Sequence, residues 1–459
     1  MTLRTASLVD GLAERLPADR LQTDPDVVAA YAQDRAVFES AGTAAVLVMP
    51  TSTEEVVATV EVARAARVPI VPRGAGSGLT GAANAVDGCL LLSLHRMDRV
   101  LDIDPVNRMV RTEPGVINAD LKRAVAEHGL FYPPDPASYE LSSIGGNVAT
   151  NAGGLCCVKY GVTRDHVLGL EVVLASGEVL RTGRHTLKRS TGPDLTGLFV
   201  GSEGRLGIIT EATLRLVPTP PPPATAVAFF DELAPAGEAV ARVFAAGHQP
   251  SMMEIIDRAA LTEVESAYHL GLDLDAACLL IIQTEGDGAA STIGDIARLC
   301  QEAGATFVHH ATDPAEGELL VEARRRVWPA LERTGRMLLP EDVAVPRERM
   351  VELLAGIARI AEVREVEVAT IGHAGDGNMH PLLVFDGNDP DQVARARAAF
   401  DDILTLSLEL GGTIAAEHGV GTLKRAHLAR ELDPVQLAMQ RALKGLLDPE
   451  GILNPGKTF

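Results

Sequence analysis

Aromatic side chains are scarce in this sequence: one tryptophan, five tyrosines and ten phenylalanines, 3% of 459 residues. The core must therefore be aliphatic, and single-stranded nucleic acid would find few rings to stack on. Positive charge is also short, with 41 lysines and arginines against 62 acids and a formal net charge of -21. Such a surface repels phosphate backbones and anionic headgroups, so neither nucleic acid nor a membrane is expected as a direct partner. No apolar stretch is long enough to span a bilayer. The N-terminal MTLRTASLVDGLAERL scatters charges where a secretory signal needs an apolar core. The five cysteines (Cys89, Cys156, Cys157, Cys278, Cys300) form no C-x-x-C pair, and an odd number leaves at least one thiol free. A reducing, cytoplasmic setting is expected, peripheral to the inner face of the membrane only through a partner.

What is present is aliphatic and periodic. At 459 residues and 46% hydrophobic side chains, the chain should divide into two domains rather than bury one core. AAVLVMP reads as a strand, TSTEEVVATVEVARAARV as a helix capped by Thr51 or Ser52, and VPIVPRGAGSG as a strand entering a glycine loop. CLLLSL, VLDIDPVNRMVRTEPG, LGLEVVLASGEVLRTG and IITEATLRLVP follow as short strands with tight turns. The run PTPPPPAT, from Pro218 onward, cannot continue a sheet, because proline lacks the backbone donor, and it reads as a linker. Beyond it AFFDELAPAGEAVARVFAAG, ACLLIIQTEG, GATFVHHAT and EVATIGHAG alternate strand and helix, and from about Asp401 onward the pattern is mainly helical. The expected class is α+β, with domains at 1–218 and 219–459.

Gly76-Ser77-Gly78-Leu79-Thr80-Gly81 satisfies G-x-G-x-x-G after a strand, with Asp98 about 20 residues on, as a nicotinamide-binding unit would. That reading fails on length. The fingerprint needs a helix whose N-terminus faces the pyrophosphate, and AANAVDG leads at once into CLLLSL. A nest of backbone N–H groups around an anion and an ordinary turn both remain open. A second small-residue stretch runs from Pro134, Asp135 and Pro136 through Ser142, Ile144, Gly145, Gly146, Asn147, Ala149, Thr150 and Asn151 to Gly153 and Gly154. It suits backbone packed on a flat polar ligand, or an extended loop.

With EPGV at 113–116, KYG at 159–161 and GSEGRLGIIT at 201–210, these segments resemble, in order, the FAD-binding domain of the vanillyl-alcohol-oxidase and p-cresol-methylhydroxylase superfamily. The resemblance implies a PCMH-type FAD-binding domain over 1–218. Pro72, Arg73, Gly74, Ala75 and the 76–81 loop would hold the pyrophosphate. Pro114, Gly115, the 134–154 stretch, Tyr160, Gly161, Glu203, Gly204, Gly207, Ile208 and Ile209 would line the rest of the cofactor. The loop lacks the histidine through which some members attach flavin covalently, so the FAD is expected to be non-covalent.

EVATIGHAGDGNMHPLLV sets His373 and His380 either side of a glycine-rich turn, able to converge if Gly375 and Gly377 let the chain double back. Two neutral imidazoles with a carboxylate such as Glu417, in AAEHGVG, suit a divalent metal: zinc, manganese or iron. Histidines beside a turn also serve as plain structural groups. HAGDGNMHP, EHGVG, EDVAVPR at 341–347 and the final LNPGK resemble the C-terminal domain of the glycolate oxidase flavoprotein subunit, D-lactate dehydrogenases and D-2-hydroxyglutarate dehydrogenases. By that resemblance, 219–459 is an FAD-linked oxidase C-terminal domain with an antiparallel sheet and helices, its segment from about 413 returning to the flavin through Asn454. His373, His380 and Glu417 would bind the metal, His418 would act on the substrate proton, and Asn378 would sit near the substrate.

The expected reaction is oxidation of a small 2-hydroxy acid, glycolate or D-lactate, to the 2-oxo acid. It needs the hydroxyl proton removed, which a chelating metal and a histidine make feasible, and a hydride taken up at flavin N5. Of the three arginines in EARRRVWPA, Arg324 corresponds to the family's arginine for the substrate carboxylate. The 2-hydroxyglutarate enzymes carry a threonine and a lysine where this chain has Trp328 and about Pro340. Those departures favour a monocarboxylate. The rivals are a D-2-hydroxyglutarate dehydrogenase, a metal-free alcohol oxidase and a non-catalytic flavin subunit. Electrons would leave to a quinone, an electron-transfer protein or an iron–sulfur subunit, since the chain carries no cysteine-rich extension. A homodimer is an expected assembly. Cys156-Cys157 reads as small buried hydrophobes rather than a redox pair.

Overall fold

A computed structural model describes residues 3–458 except Leu187 and Arg189. The chain forms two compact units, one made of residues 1–153, 161–219 and 417–459, the other of 154–160 and 220–416.

The first unit holds two larger sheets and a two-stranded ribbon. In one, Leu21–Gln22, Val46–Val48, Leu90–Ser93 and Ile70–Arg73 lie side by side in that order. Leu90–Ser93 runs parallel to both its neighbours, so both of its faces are buried and every residue in it is inaccessible. The helix Thr53–Ala66 connects two of these strands; Ser52 caps it by accepting from the Glu55 N–H, and Arg67 ends it in a left-handed conformation. The second sheet is antiparallel, in the order Val100–Asp104, Met109–Thr112, Ile208–Arg215, Val167–Val173, Val179–Gly183. Residues 74–89 between Arg73 and Leu90 contain no helix, as the rejection of a nicotinamide fingerprint requires.

Three expectations shift. The 134–154 stretch is not wholly extended: Ile144–Thr150 is a helix, capped where Ser143 Oγ accepts from the Gly146 N–H. The proline run is shorter as a linker than it reads. Val217–Pro218 pairs with Leu130–Phe131, and Ala224 already begins the next strand, because prolines at strand ends forfeit no interior ladder bond. After Asp401 the helices Pro390–Glu409 and Pro434–Leu447 are separated by an irregular segment around Glu417, where Gly419 and Gly421 take positive φ.

The second unit is built on an eight-stranded antiparallel sheet. Seven strands lie in the order Phe307–Ala311, Ala224–Phe230, Cys278–Thr284, Met252–Asp257, Glu367–His373, Asn378–Phe385, Met337–Pro340, and Val343–Ala344 pairs with Asn378–Phe385. Val227, Met252, Ile256, Leu279, Ile281, Ala369 and Ile371 pack from the sheet against Ala260, Leu261 and Val264 of one helix and Val321, Val327 and Leu331 of another, Pro314–Glu332. That layer makes one face of the sheet rigid where the histidines stand.

Candidate functional site

The glycine loop of the first unit is a row of unspent donors. Among the described residues, no backbone N–H from 74 to 82 donates to a protein acceptor. Backbone donors are normally paired, so consecutive free ones suit a polyanion such as a pyrophosphate. The loop is braced from beneath. Asn84 Oδ1 accepts from the Asp34 N–H at 2.7 Å, Asp34 Oδ2 accepts from the Ala83 N–H at 3.4 Å, and Lys457 donates to the Gly81 and Asn84 carbonyls at 2.9 and 2.8 Å. Burial raises the Asp34 pKa and lowers those of Lys457 and Arg73. Arg73 donates to the Gln33 carbonyl at 2.9 Å, and its guanidinium lies so close to Gly76 (φ 73°) that a Cβ there would sit 1.9 Å from it. Pro72 fits under Gly204, whose added Cβ would stand 2.3 Å from the ring. Ala75, Ser77 and Leu79 lie in the loop, and Thr80 Oγ1 donates to the His418 carbonyl at 3.5 Å.

Most of the other expected cofactor residues lie in the same unit, held by close backbone packing. Gly74 meets Ser143, Gly145 meets Pro114, and Gly115 lies against the Leu94 carbonyl, each too near for a side chain. Asn118 donates to the Pro134 carbonyl at 3.2 Å and to Asn147 Oδ1 at 2.9 Å, while Asn147 donates to Ser142 Oγ at 3.1 Å. Thr150 Oγ1 donates to the Gly146 carbonyl, the Ala149 carbonyl accepts from Glu203, and Asn151 Oδ1 accepts from Arg164. Pro134 and Gly153 are buried, Asp135 half-buried, and Gly161 takes φ 81°. Gly207, Ile208 and Ile209 open the strand beside Val172. Asn454 donates to the Ala82 and Glu203 carbonyls at 2.9 and 2.7 Å; its buried Oδ1 has no partner among the described residues. These free polar atoms and side-chain-free approaches fit FAD.

Gly154 and Tyr160 fall in the second unit, where Tyr160 bonds Glu285 and Lys159 donates to Glu285 at 2.7 Å. Cys156 and Cys157 between them are half-buried, and no cysteine forms a disulfide. Burial pushes the Cys89 thiol up to about 11 and the Cys278 and Cys300 thiols up to about 12, which leaves them unreactive.

In the second unit the turn between Glu367–His373 and Asn378–Phe385 does what the glycines permit. Register pairs Ile371 with His380 and His373 with Asn378, so all four side chains share one face. The imidazoles meet edge to face, with Nε2 to Nε2 at 3.4 Å. Two nitrogens each roughly 2.1 Å from a tetrahedral cation are separated by about 3.4 Å, so the spacing fits a metal. Asn378 Oδ1 is buried with no partner among the described residues. The next strand places Glu254 directly opposite His373. Glu254, wholly inaccessible, lies 2.6 Å from His373 Nδ1 and accepts from Arg324 Nε at 2.8 Å. Of the three consecutive arginines only Arg324 turns inward; Arg325 and Arg326 are exposed and pair with Glu318 and Glu322. Asp342, also inaccessible, stands 3.7 Å from His380 Nδ1 and accepts from the Ala416 N–H at 2.9 Å.

Glu254 escaped the sequence reading, although a lone acid inside the apolar strand MMEII is a signal that it is held by partners. Lys457 and Asp34, beneath the loop, carry no such mark. Glu417 and His418 belong to the first unit, with Glu417 Oε1 3.8 Å from His418 Nε2, and directly follow Ala416 in the chain.

Two family models match the chain in turn. Residues 44–183 match the model of an FAD binding domain, and 219–458 that of the C-terminal domain of FAD linked oxidases. Glycolate oxidase subunit GlcD of Bacillus subtilis is 41% identical over 90% of this chain and 88% of its own. A D-lactate dehydrogenase of Anaerostipes hadrus is 35% identical over 90% of this chain and 89% of its own. The crystal structure of p-cresol methylhydroxylase with substrate bound superposes with a TM-score of 0.82, covering 100% of this chain and 97% of that one at 20% identity, a likeness of fold.

Proposed function

Since the chain belongs to the FAD-linked oxidases, we propose that it oxidises a small 2-hydroxy acid, glycolate or D-lactate, to the 2-oxo acid with the help of a divalent metal. The observation that carries the metal is the pair of Nε2 atoms 3.4 Å apart with Glu254 behind one of them. The substrate class draws on the names of the relatives, a glycolate oxidase subunit and a D-lactate dehydrogenase.

In this reading 1–218, with Asn454, binds FAD non-covalently, and 219–459 supplies the substrate and metal groups. His373 and His380 hold the metal, and Glu417, next in the chain to the residue whose N–H is bonded to Asp342, completes the set. When bound, FAD supplies a hydride acceptor at N5 and the metal a Lewis acid for the hydroxyl oxygen. Arg324 has one nitrogen committed to Glu254, and its two terminal nitrogens are the fork for the substrate carboxylate. Asn378, whose buried Oδ1 has no partner among the described residues, lies near the substrate, and its amide N–H can donate to a substrate oxygen. His418 Nε2 takes the hydroxyl proton as the Cα hydrogen leaves with its electron pair. Neither Trp328, which donates to Glu332, nor the buried Pro340 offers a cation to a second carboxylate, so a monocarboxylate is preferred over D-2-hydroxyglutarate. No helix among the described residues is long and apolar enough to cross a membrane. A cytoplasmic enzyme passing electrons to a quinone, an electron-transfer protein or an iron–sulfur subunit is the matching setting.

Anaerobic bleaching of the flavin by a panel of D- and L-2-hydroxy acids tests this, with metal content measured on the same sample. Glycolate or D-lactate should bleach faster than D-2-hydroxyglutarate, and EDTA should abolish bleaching. His418→Ala should keep FAD and lose at least 100-fold in reduction rate. Faster turnover of D-2-hydroxyglutarate would overturn the substrate, indifference to EDTA the metal, and undiminished reduction by the variant the base.

A further inference from the structure

We infer that Glu254 is a positioning residue that sets the metal-binding tautomer of His373 and ties it to Arg324. Three neighbouring strands place Glu254, His373 and Asn378 in one cross-strand row. Glu254 stands at one end of the row: one oxygen is 2.6 Å from His373 Nδ1, the other 2.8 Å from Arg324 Nε, and no part of it is accessible. A carboxylate paired with a guanidinium accepts hydrogen bonds and donates none. The proton between Glu254 and His373 therefore belongs to Nδ1, which leaves Nε2 with its lone pair aimed at His380, 3.4 Å away. A ligating histidine gains orientation and basicity from a carboxylate at its other nitrogen.

The same carboxylate sets where Arg324 stands. With Nε bonded to Glu254, the planar guanidinium cannot rotate about its last bond without breaking that contact, so the direction of its terminal nitrogens is fixed. One buried side chain thus aims both the imidazole and the guanidinium. The interaction is a buried hydrogen-bonded triad rather than a surface ion pair, because Arg324 is itself only 8% exposed.

The idea rests on the metal reading above, and the experiment separates the two. Glu254→Gln keeps the shape but presents one acceptor and one donor to two donors. Either Arg324 loses its partner, or His373 must move its proton to Nε2, where it blocks the metal. Nitrogen-15 NMR of the metal-free, FAD-loaded protein should find His373 protonated at Nδ1 in the wild type and switched to Nε2 or mixed in Glu254→Gln. Titration with zinc should show affinity lowered about 10- to 100-fold in Glu254→Gln and largely restored in Glu254→Asp, with bound flavin unchanged in both. A wild-type His373 protonated at Nε2, or zinc affinity in Glu254→Gln equal to the wild type, overturns the inference. A wild type that binds no divalent metal while showing the Nδ1 tautomer overturns the metal reading and leaves the positioning role standing.

Discussion

At the scale of single residues, the site depends on side chains whose partners are backbone groups far away in sequence. Glu203 is the clearest. It holds a left-handed conformation, φ 51°, that costs a residue with a Cβ energy. Its carboxylate accepts from the Val420 N–H at 2.7 Å, from the Gly421 N–H at 3.1 Å and from Thr458 Oγ1 at 2.6 Å. It therefore clamps the segment just after His418 as well as lying among the residues expected beside the cofactor. Glu203→Ala keeps the unfavourable φ and orphans these buried donors, at a cost of roughly 3 kcal/mol. Urea unfolding should register that loss, and flavin reduction by substrate should slow by more than flavin binding weakens. A variant as stable as the wild type would mean that the clamp is not needed.

At the scale of elements, the hairpin that carries both histidines is only as good as its turn. The Gly377 N–H donates to the His373 carbonyl at 2.9 Å, and the Gly377 carbonyl accepts from Val345 at 3.1 Å. Gly377 has φ 85°, and a Cβ on it would stand 2.2 Å from the Val345 carbonyl oxygen. Gly377→Ala should lower stability by about 2 kcal/mol or more, through φ strain and that clash, and should weaken zinc binding in the same titration. Unchanged zinc affinity would show that the hairpin holds its register without this turn. Alternation in EVATIGHAG and the two glycines made the hairpin legible beforehand; its third partner was not. Which strand lies beside Glu367–His373 depends on a pairing with Met252–Asp257 more than a hundred residues away, and local pattern carries no record of it.

For the whole molecule, the division into two compact units separates the glycine loop proposed to hold FAD from the sheet that carries the histidines, and this predicts where FAD acts. Amides of 74–82 have no protein acceptor among the described residues and should exchange with solvent quickly in the apoprotein. Hydrogen exchange with and without FAD should show strong new protection there, and little in the Cys278–Thr284 strand deep in the second unit. Protection absent from 74–82 would sink the cradle. Composition, glycine spacing and ordered motifs sufficed for the α+β class, for a glycine loop that opens no helix, and for the approach of His373 to His380 across one turn, since each follows from local backbone freedom or from residue types a few positions apart. The burial of Arg324 against Glu254, the place of Glu254 behind His373, and the Lys457 under the glycine loop came only with the folded chain. Burial and hydrogen-bond partnership are properties of what surrounds a side chain, and distant segments supply those surroundings.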